Sequence, residues 1–397
     1  MVGSGREEDG PDVTTPLIEQ DEAVAATPAV AAEEGARDQS IQVWVLRILS
    51  ALVVPAVLVL FFFAFGFLRQ PEINKAIQVG VALVVGVLGV WALYWGMDRL
   101  VSALPVRVAA GVRPYAFAGP AMVLLVFYLV YPAVNTFVLS FQNDAGDAFV
   151  GVDNYIRIFT ESTYLVAIRN SLAWVILVPA AAVGIGLAFA TLADRLSRRA
   201  EAVAKSLIFL PLAISFVGAS VVWTFIYRWR AEGFGDQIGL LNAIITAFGG
   251  EPVNWLTVPL WNNLFLMVIL VWLQTGFAMV ILSSAIKAVP EEIIEASRID
   301  GANEWNVFRK IVVPSIASTI VVVWTTILIT TWKVFDIVYV MTGGREGTGV
   351  VAQQMVTEFF TFNNDGMGAA LAVILFIAVV PILVINVKRF REQEATR

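Results

Sequence analysis

Neither cysteine nor histidine occurs among the 397 residues. Without thiols there is no disulfide framework and no thiolate metal site. Without imidazole the commonest general base, proton shuttle and metal ligand is gone. Charge is also scarce, at 15% Asp, Glu, Lys and Arg, too little to cover the surface of a soluble domain of this length. No Gly-Lys dipeptide is present, so there is no Walker A loop to cradle nucleotide phosphates. No clustered carboxylates near one interface replace the missing groups. The sequence therefore predicts no catalytic residue, no cofactor, no metal site and no nucleic-acid partner.

What the chain has in excess is apolar sequence: 58% hydrophobic residues and a mean hydropathy of +0.78. Crossing a hydrocarbon core takes about 20 helical residues, and about eight stretches reach that length. They run from Val43 to Leu68, Ala76 to Asp98, Phe117 to Phe141, Leu165 to Leu192, Ser206 to Trp229, Trp261 to Ile286, Ser315 to Met341 and Met367 to Phe390. Backbone groups in lipid must be satisfied internally, and the alternation of barrel strands is missing, so the expected fold is an all-α polytopic transmembrane bundle. Gly80, Gly86, Gly89 and Gly96 in the second span read as sites of close helix packing.

Residues 1–40 differ from the rest. Ten acids stand among Pro, Ala, Gly and Thr, which predicts a disordered acidic tail rather than a cleavable signal peptide. Lys and Arg collect after the second, fourth, sixth and eighth spans: Arg99, Arg107 and Arg113; Arg195, Arg198, Arg199 and Lys205; Lys287 to Lys310; Lys388, Arg389 and Arg391. The positive-inside rule places these loops, and both termini, in the cytoplasm. The tail is then followed by two N-terminal helices within 41–114 and a six-span core within 115–397.

One connection, Lys287 to Pro314, is not explained by the membrane. Pro290 followed by Glu291 and Glu292 is a well-formed helix start, with acids where the macrodipole favours them. Gly301 is placed to end that helix in a left-handed cap. A second short helix is expected from Ala302 to Ile311, running into Pro314. The product is a charged, amphipathic helix-turn-helix projecting from the membrane.

Glu295-Ala296-Ser297, then Gly301, then Ile311-Val-Val-Pro314 resemble the EAA loop of ABC importer permeases, the binding-protein-dependent inner-membrane component family. Further segments are similar to carbohydrate permeases of maltose and α-glucoside type: Phe149 to Tyr155, Gly239 to Asn242, Phe335 to Gly344 and Ala369 to Ala372. The maltose-type insert after the third span is missing here, since Phe141 to Leu165 is short. The resemblance implies that Glu295, Ala296, Ser297, Arg298, Asp300, Gly301 and Pro314 couple the chain to separate ABC ATPase subunits. It also implies a second permease subunit, an extracytoplasmic solute-binding protein, a sugar substrate and a bacterial inner-membrane location.

A sugar site wants amides, hydroxyls and aromatic faces. Asn170, Ser215, Ser220, Gln274, Thr275, Thr330, Thr331, Trp332 and Tyr339 lie within spans. By resemblance Gln274 and Thr331 fall where maltose-type permeases line their sugar path, and interhelical hydrogen bonding remains the alternative. Lys333 and Asp336 stand three apart on one helical face and could pair, as a packing device or, less simply, a proton-coupling one. Trp223 and Trp332 stay open between belt, core and sugar stacking.

Overall fold

The computed structural model describes residues 52–70, 73–102, 104 and 106–395. The acidic tail at 1–40 and the start of the first expected span lie outside them. Among the described residues the chain is helical, with one isolated β-bridge between Gln142 and Phe149. Two units divide at Leu129 and Val130.

The first unit contains α1 (Leu52–Leu68) and α2 (Lys75–Ser102), followed by α3 (Val106–Leu125). Two of the four glycines singled out in α2 do allow close approach. A Cβ at Gly89 would lie 2.6 Å from Phe61, and one at Gly96 would lie 2.9 Å from Val53. Gly80 and Gly86 have open space at the same point, so packing does not account for them. Tyr94 stacks on Phe117 at 6.1 Å, and Arg113 pairs with Asp98 at 3.3 Å.

A π-turn at Val126–Val130 covers the boundary, and the second unit opens with α4 (Tyr131–Leu139). The second unit then builds α5 (Asp153–Thr160), α6 (Ser162–Ala193), α7 (Arg198–Phe209) and α8 (Phe216–Tyr227). It continues with α9 (Leu240–Ala247), α10 (Trp261–Lys287), α11 (Glu291–Ile299), α12 (Glu304–Val307) and α13 (Val313–Ser315). Last come α14 (Ala317–Trp332), α15 (Asp336–Met341), α16 (Val351–Phe360) and α17 (Asp365–Ala395).

Five of these helices are long and apolar enough to span a membrane, and two bent pairs bring the number to seven among the described residues. The expected fifth span bends by 103° between Ala213 and Phe216, where Pro211 stands in a 3-10 turn and Ser215 caps α8. The expected seventh bends by 70° around Ile316 and breaks again at Lys333–Phe335. Hydropathy locates apolar sequence, and it is blind to such breaks.

The α6–α10 pair forms the centre of the second unit. A Cβ on Gly186 would stand 2.6 Å from the Ala278 Cβ and 3.0 Å from the Met279 backbone nitrogen, so only a methyl separates the two backbones. Around this contact Trp174, Leu266, Ile269, Leu270, Leu273, Met279 and Leu282 are fully buried. A smaller core at one end joins Ile158, Tyr164, Met367 and Leu371.

Candidate functional site

The segment between α10 and α14 folds as a lug of two short helices. Pro290 stands at the N-cap of α11, and Glu291 and Glu292 fill its first turn, as its sequence predicts. Gly301 has φ +84°, the left-handed region open to glycine. The Ala302 N–H donates to the Ser297 carbonyl at 3.0 Å and the Gly301 N–H to that of Arg298 at 3.0 Å. These are the two bonds of a Schellman cap. Gly301 needs its conformation and not its smallness, because a Cβ there would meet nothing within 4 Å. The close approach that would add to its role is not made by this chain.

The second helix begins later than expected. Asn303 caps it, its side chain accepting from the Asn306 N–H at 2.9 Å, so α12 starts at Glu304 rather than Ala302. Phe308–Val312 then winds as a π-turn ahead of Pro314, whose ring nitrogen cannot donate into an α-helical ladder. Arg298 grips Glu304 through two nitrogens, at 2.9 and 3.3 Å, tying α11 to α12 across the turn. That hydrogen bond to Glu304 raises the Arg298 guanidinium above its ordinary pKa.

No residue of α11 is buried. Glu295, Ala296, Arg298, Asp300 and Pro314 are exposed, and half-buried Ser297 donates its hydroxyl back to the Ile294 carbonyl at 2.7 Å. Ile299 is 85% exposed and Trp305 64%, an apolar cost a solvated loop has no reason to carry. The lug is a preformed surface, capped at the end of α11 and the start of α12 and braced by one ion pair.

At the other end of the bundle, the loop 342–350 is fastened to the outset of α6 and α10. The Asn170 amide donates to the Gly347 and Gly349 carbonyls at 2.7 and 2.8 Å. Asn262 donates to the Glu346 carbonyl at 2.7 Å, and Ser171 accepts from the Val351 N–H at 3.0 Å. Glu346 is held at φ +55°, unusual for a non-glycine residue and stabilised here by the pinned carbonyl. Sequence reading named Asn170 as polar within a span and missed Asn262 and Asn263. Adjacent amides at a span start were the available signal. Beside this loop Glu358 is buried and accepts from the Tyr164 hydroxyl at 2.8 Å; burial raises its pKa.

Residues 165–393 match the binding-protein-dependent transport system inner membrane component family. The chain belongs to that family. It is 50% identical over 281 residues to the osmoprotective compounds uptake permease protein GgtC of Synechocystis, covering 71% of this chain and all of that one. It is 47% identical over 329 residues to the alpha-glucoside transport system permease protein AglF of Rhizobium meliloti, covering 79% of this chain and 97% of that one. Its fold is shared with a bacterial ABC transporter involved in the import of alginate, at a TM-score of 0.62 and 19% identity, covering 72% of this chain and 99% of that one.

Within this permease most span hydroxyls are used by their own helices. Ser220, Thr275, Thr330 and Thr331 each donate to the carbonyl four residues earlier, at 2.7 to 3.0 Å. Buried Thr331 therefore offers its hydroxyl proton locally, and no hydrogen bond joins it to Gln274. Gln274 is 6% exposed in α10, and its amide forms no hydrogen bond to another described residue. Trp332 is a tether, donating its indole N–H to the Leu375 carbonyl at 3.0 Å. Trp223 packs edge-on to Trp272 at 5.8 Å with its indole N–H buried and unpartnered.

Lys333 and Asp336 do not pair. The helix ends at Trp332, Lys333 is exposed, and Asp336 opens α15 after a break, so the shared face assumed from their spacing does not exist.

Proposed function

We propose that this chain is the membrane-spanning permease subunit of an ATP-driven, binding-protein-dependent importer of oligosaccharide or α-glucoside sugars. The observation that carries the reading is α11: a capped helix with no buried residue, carrying exposed Ile293 and Ile299 next to exposed Trp305. Such a surface suits a groove on a soluble subunit, and we assign Glu295, Ala296, Ser297, Arg298, Asp300, Gly301 and Pro314 to the coupling segment. ATP is hydrolysed by separate ATPase subunits, and the chain itself performs no chemistry. A second permease chain and an extracytoplasmic binding protein complete the assembly. The lug end and both termini face the cytoplasm of a bacterial inner membrane. The acidic tail occupies 1–40, two N-terminal spans fill 41–114, and the core spans 115–397.

The cargo reading is supported by the lack of charge inside. No Asp, Glu, Lys or Arg is buried within the candidate spans among the described residues. A neutral, hydroxyl-rich solute suits the buried amide of Gln274 better than an ion does. Among the other path candidates, Thr331 contributes its hydroxyl oxygen as an acceptor, while Lys333 and Asp336 lie at the helix break. The kinship to an osmoprotectant permease favours a second cargo reading, a small compatible solute.

Reconstituting the complete importer in vesicles separates these readings. Labelled sucrose, maltose or trehalose should enter only with binding protein, ATP and the ATPase subunits all present. Uptake that proceeds without the ATPase subunits overturns the importer reading. Uptake of glycine betaine with exclusion of all three disaccharides overturns only the sugar. Gln274→Ala should change the ranking of the three sugars, and identical kinetics would return Gln274 to helix packing.

A further inference from the structure

At the lug end of the bundle, four charged side chains from three helices meet. Glu201 lies in the first turn of α7 and Lys287 is the last residue of α10, each where the helix dipole favours its charge. The Lys287 ammonium sits 2.6 Å from the Glu201 carboxylate and 3.6 Å from Asp194, the C-cap residue of α6. Lys205, one turn along α7, also pairs with Glu201 and donates to the buried Ser283 hydroxyl of α10. Glu201 thus receives two ammonium groups, and its side chain is only 13% exposed. Two carboxylates meet two ammonium groups, so the cluster closes without net charge.

A second contact lies further along the same two helices. A Cβ on Gly276 would enter the van der Waals shell of the Ile208 carbonyl oxygen and stand 2.7 Å from the Phe209 Cα. Backbone meets backbone there, so α7 cannot slide along α10 without displacing it. The α6 helix is packed on α10 nearly as closely at Gly186, with only the Ala278 methyl between them. Three helices are joined tightly, while the sharp bends, 103° beyond α7 and 70° at the start of α14, lie outside the joined part.

We propose that Glu201 and Lys287 are positioning residues that clamp the root of the lug to the fifth span. A push on α11 enters the bundle through Lys287, and the clamp makes α6, α7 and α10 take it up as one block. Movement is then absorbed at the two bends, where the path opens or closes. This inference rests on the lug being the ATPase-coupling segment.

Because the chain has no native cysteine, Glu201→Cys with Lys287→Cys gives a clean pair for a flexible bis-maleimide linker. The complete importer carrying Glu201→Gln, or the unlinked pair, should hydrolyse ATP within about twofold of normal while moving about tenfold less sucrose per ATP. Linking the pair should restore sucrose per ATP to within about twofold, because the clamp stays shut throughout the cycle. Unchanged sucrose per ATP in Glu201→Gln overturns the proposal. So does a linked pair that stays inactive, or hydrolysis that falls in proportion to uptake, as a merely structural defect would give. ATP-independent uptake by the unmodified importer overturns the coupling reading beneath it and is visible before any variant is made.

Discussion

The lug at Glu291–Ser315 and the loop at 342–350 flank the same broken span, yet they are held in opposite ways. The first helix of the lug buries nothing and keeps its shape through local devices: Pro290, the Gly301 cap, Asn303 and the Arg298–Glu304 pair. The loop has scarcely any regular structure and adds to its internal Thr342–Thr348 contact a set of distant partners, with Asn170 reaching it across 177 residues of sequence. Its own last residues, Thr348, Gly349 and Val350, are buried. A segment stabilised from within can be handed to another protein without unfolding. A segment stabilised from outside is part of the body that holds it.

Removing a distant partner should therefore have the largest effect. Asn170→Ala deletes one buried and one part-buried hydrogen bond, each worth about 1 kcal/mol, and leaves the Gly349 carbonyl unsatisfied while Asn263 still donates to that of Gly347, for a total of about 2–3 kcal/mol. The loss should appear as local opening, with trypsin cleavage after Arg345 rising at least about tenfold in the purified protein. An unchanged cleavage rate would show that the loop holds itself, and the contrast with the lug would disappear.

On the lug the expected effects are smaller and conformational. Gly301→Leu places a side chain at φ +84°, costing about 1–2 kcal/mol for an L-residue. Since that side chain would meet nothing in this chain, Gly301→Asn, which tolerates the left-handed region, should keep ATP-driven uptake within about twofold. Gly301→Leu should lower it several-fold with membrane insertion intact. Equal failure of both variants would mean that the ATPase subunit needs the space rather than the turn.

The same distinction explains what was legible in the sequence. Pro290, the acids after it and the left-handed Gly301 are local signals, and each could be read from a few neighbouring residues. The α6–α10 pairing at Gly186, the Trp332 tether to α17 and the Asn262 bond to Glu346 join residues far apart in sequence, and no pattern in a single chain pairs them. The break at Lys333–Phe335 leaves no mark in the sequence, since neither proline nor glycine stands there. Lys333 and Asp336 share a face only if the helix continues. Of the path candidates, the buried amide of Gln274 followed from its position in an apolar run. That Thr331 spends its proton on Ile327 required the structure.

The smallest effect belongs to the feature that looks most specific. Arg298 and Glu304 are joined by two hydrogen bonds, but both side chains are more than a third exposed, at 50% and 59%. Exposed pairs contribute little and are screened by salt. The Schellman bonds and the Asn303 cap set the angle between α11 and α12 without them. Arg298→Ala should therefore change sucrose uptake by less than about threefold, and the difference from the unmodified importer should shrink further as ionic strength rises. A larger loss that persists at high salt would place Arg298 against the ATPase subunit rather than against Glu304. In that case the lug would be completed by its partner, and Arg298 would belong to the docking surface as much as Ile299 and Trp305.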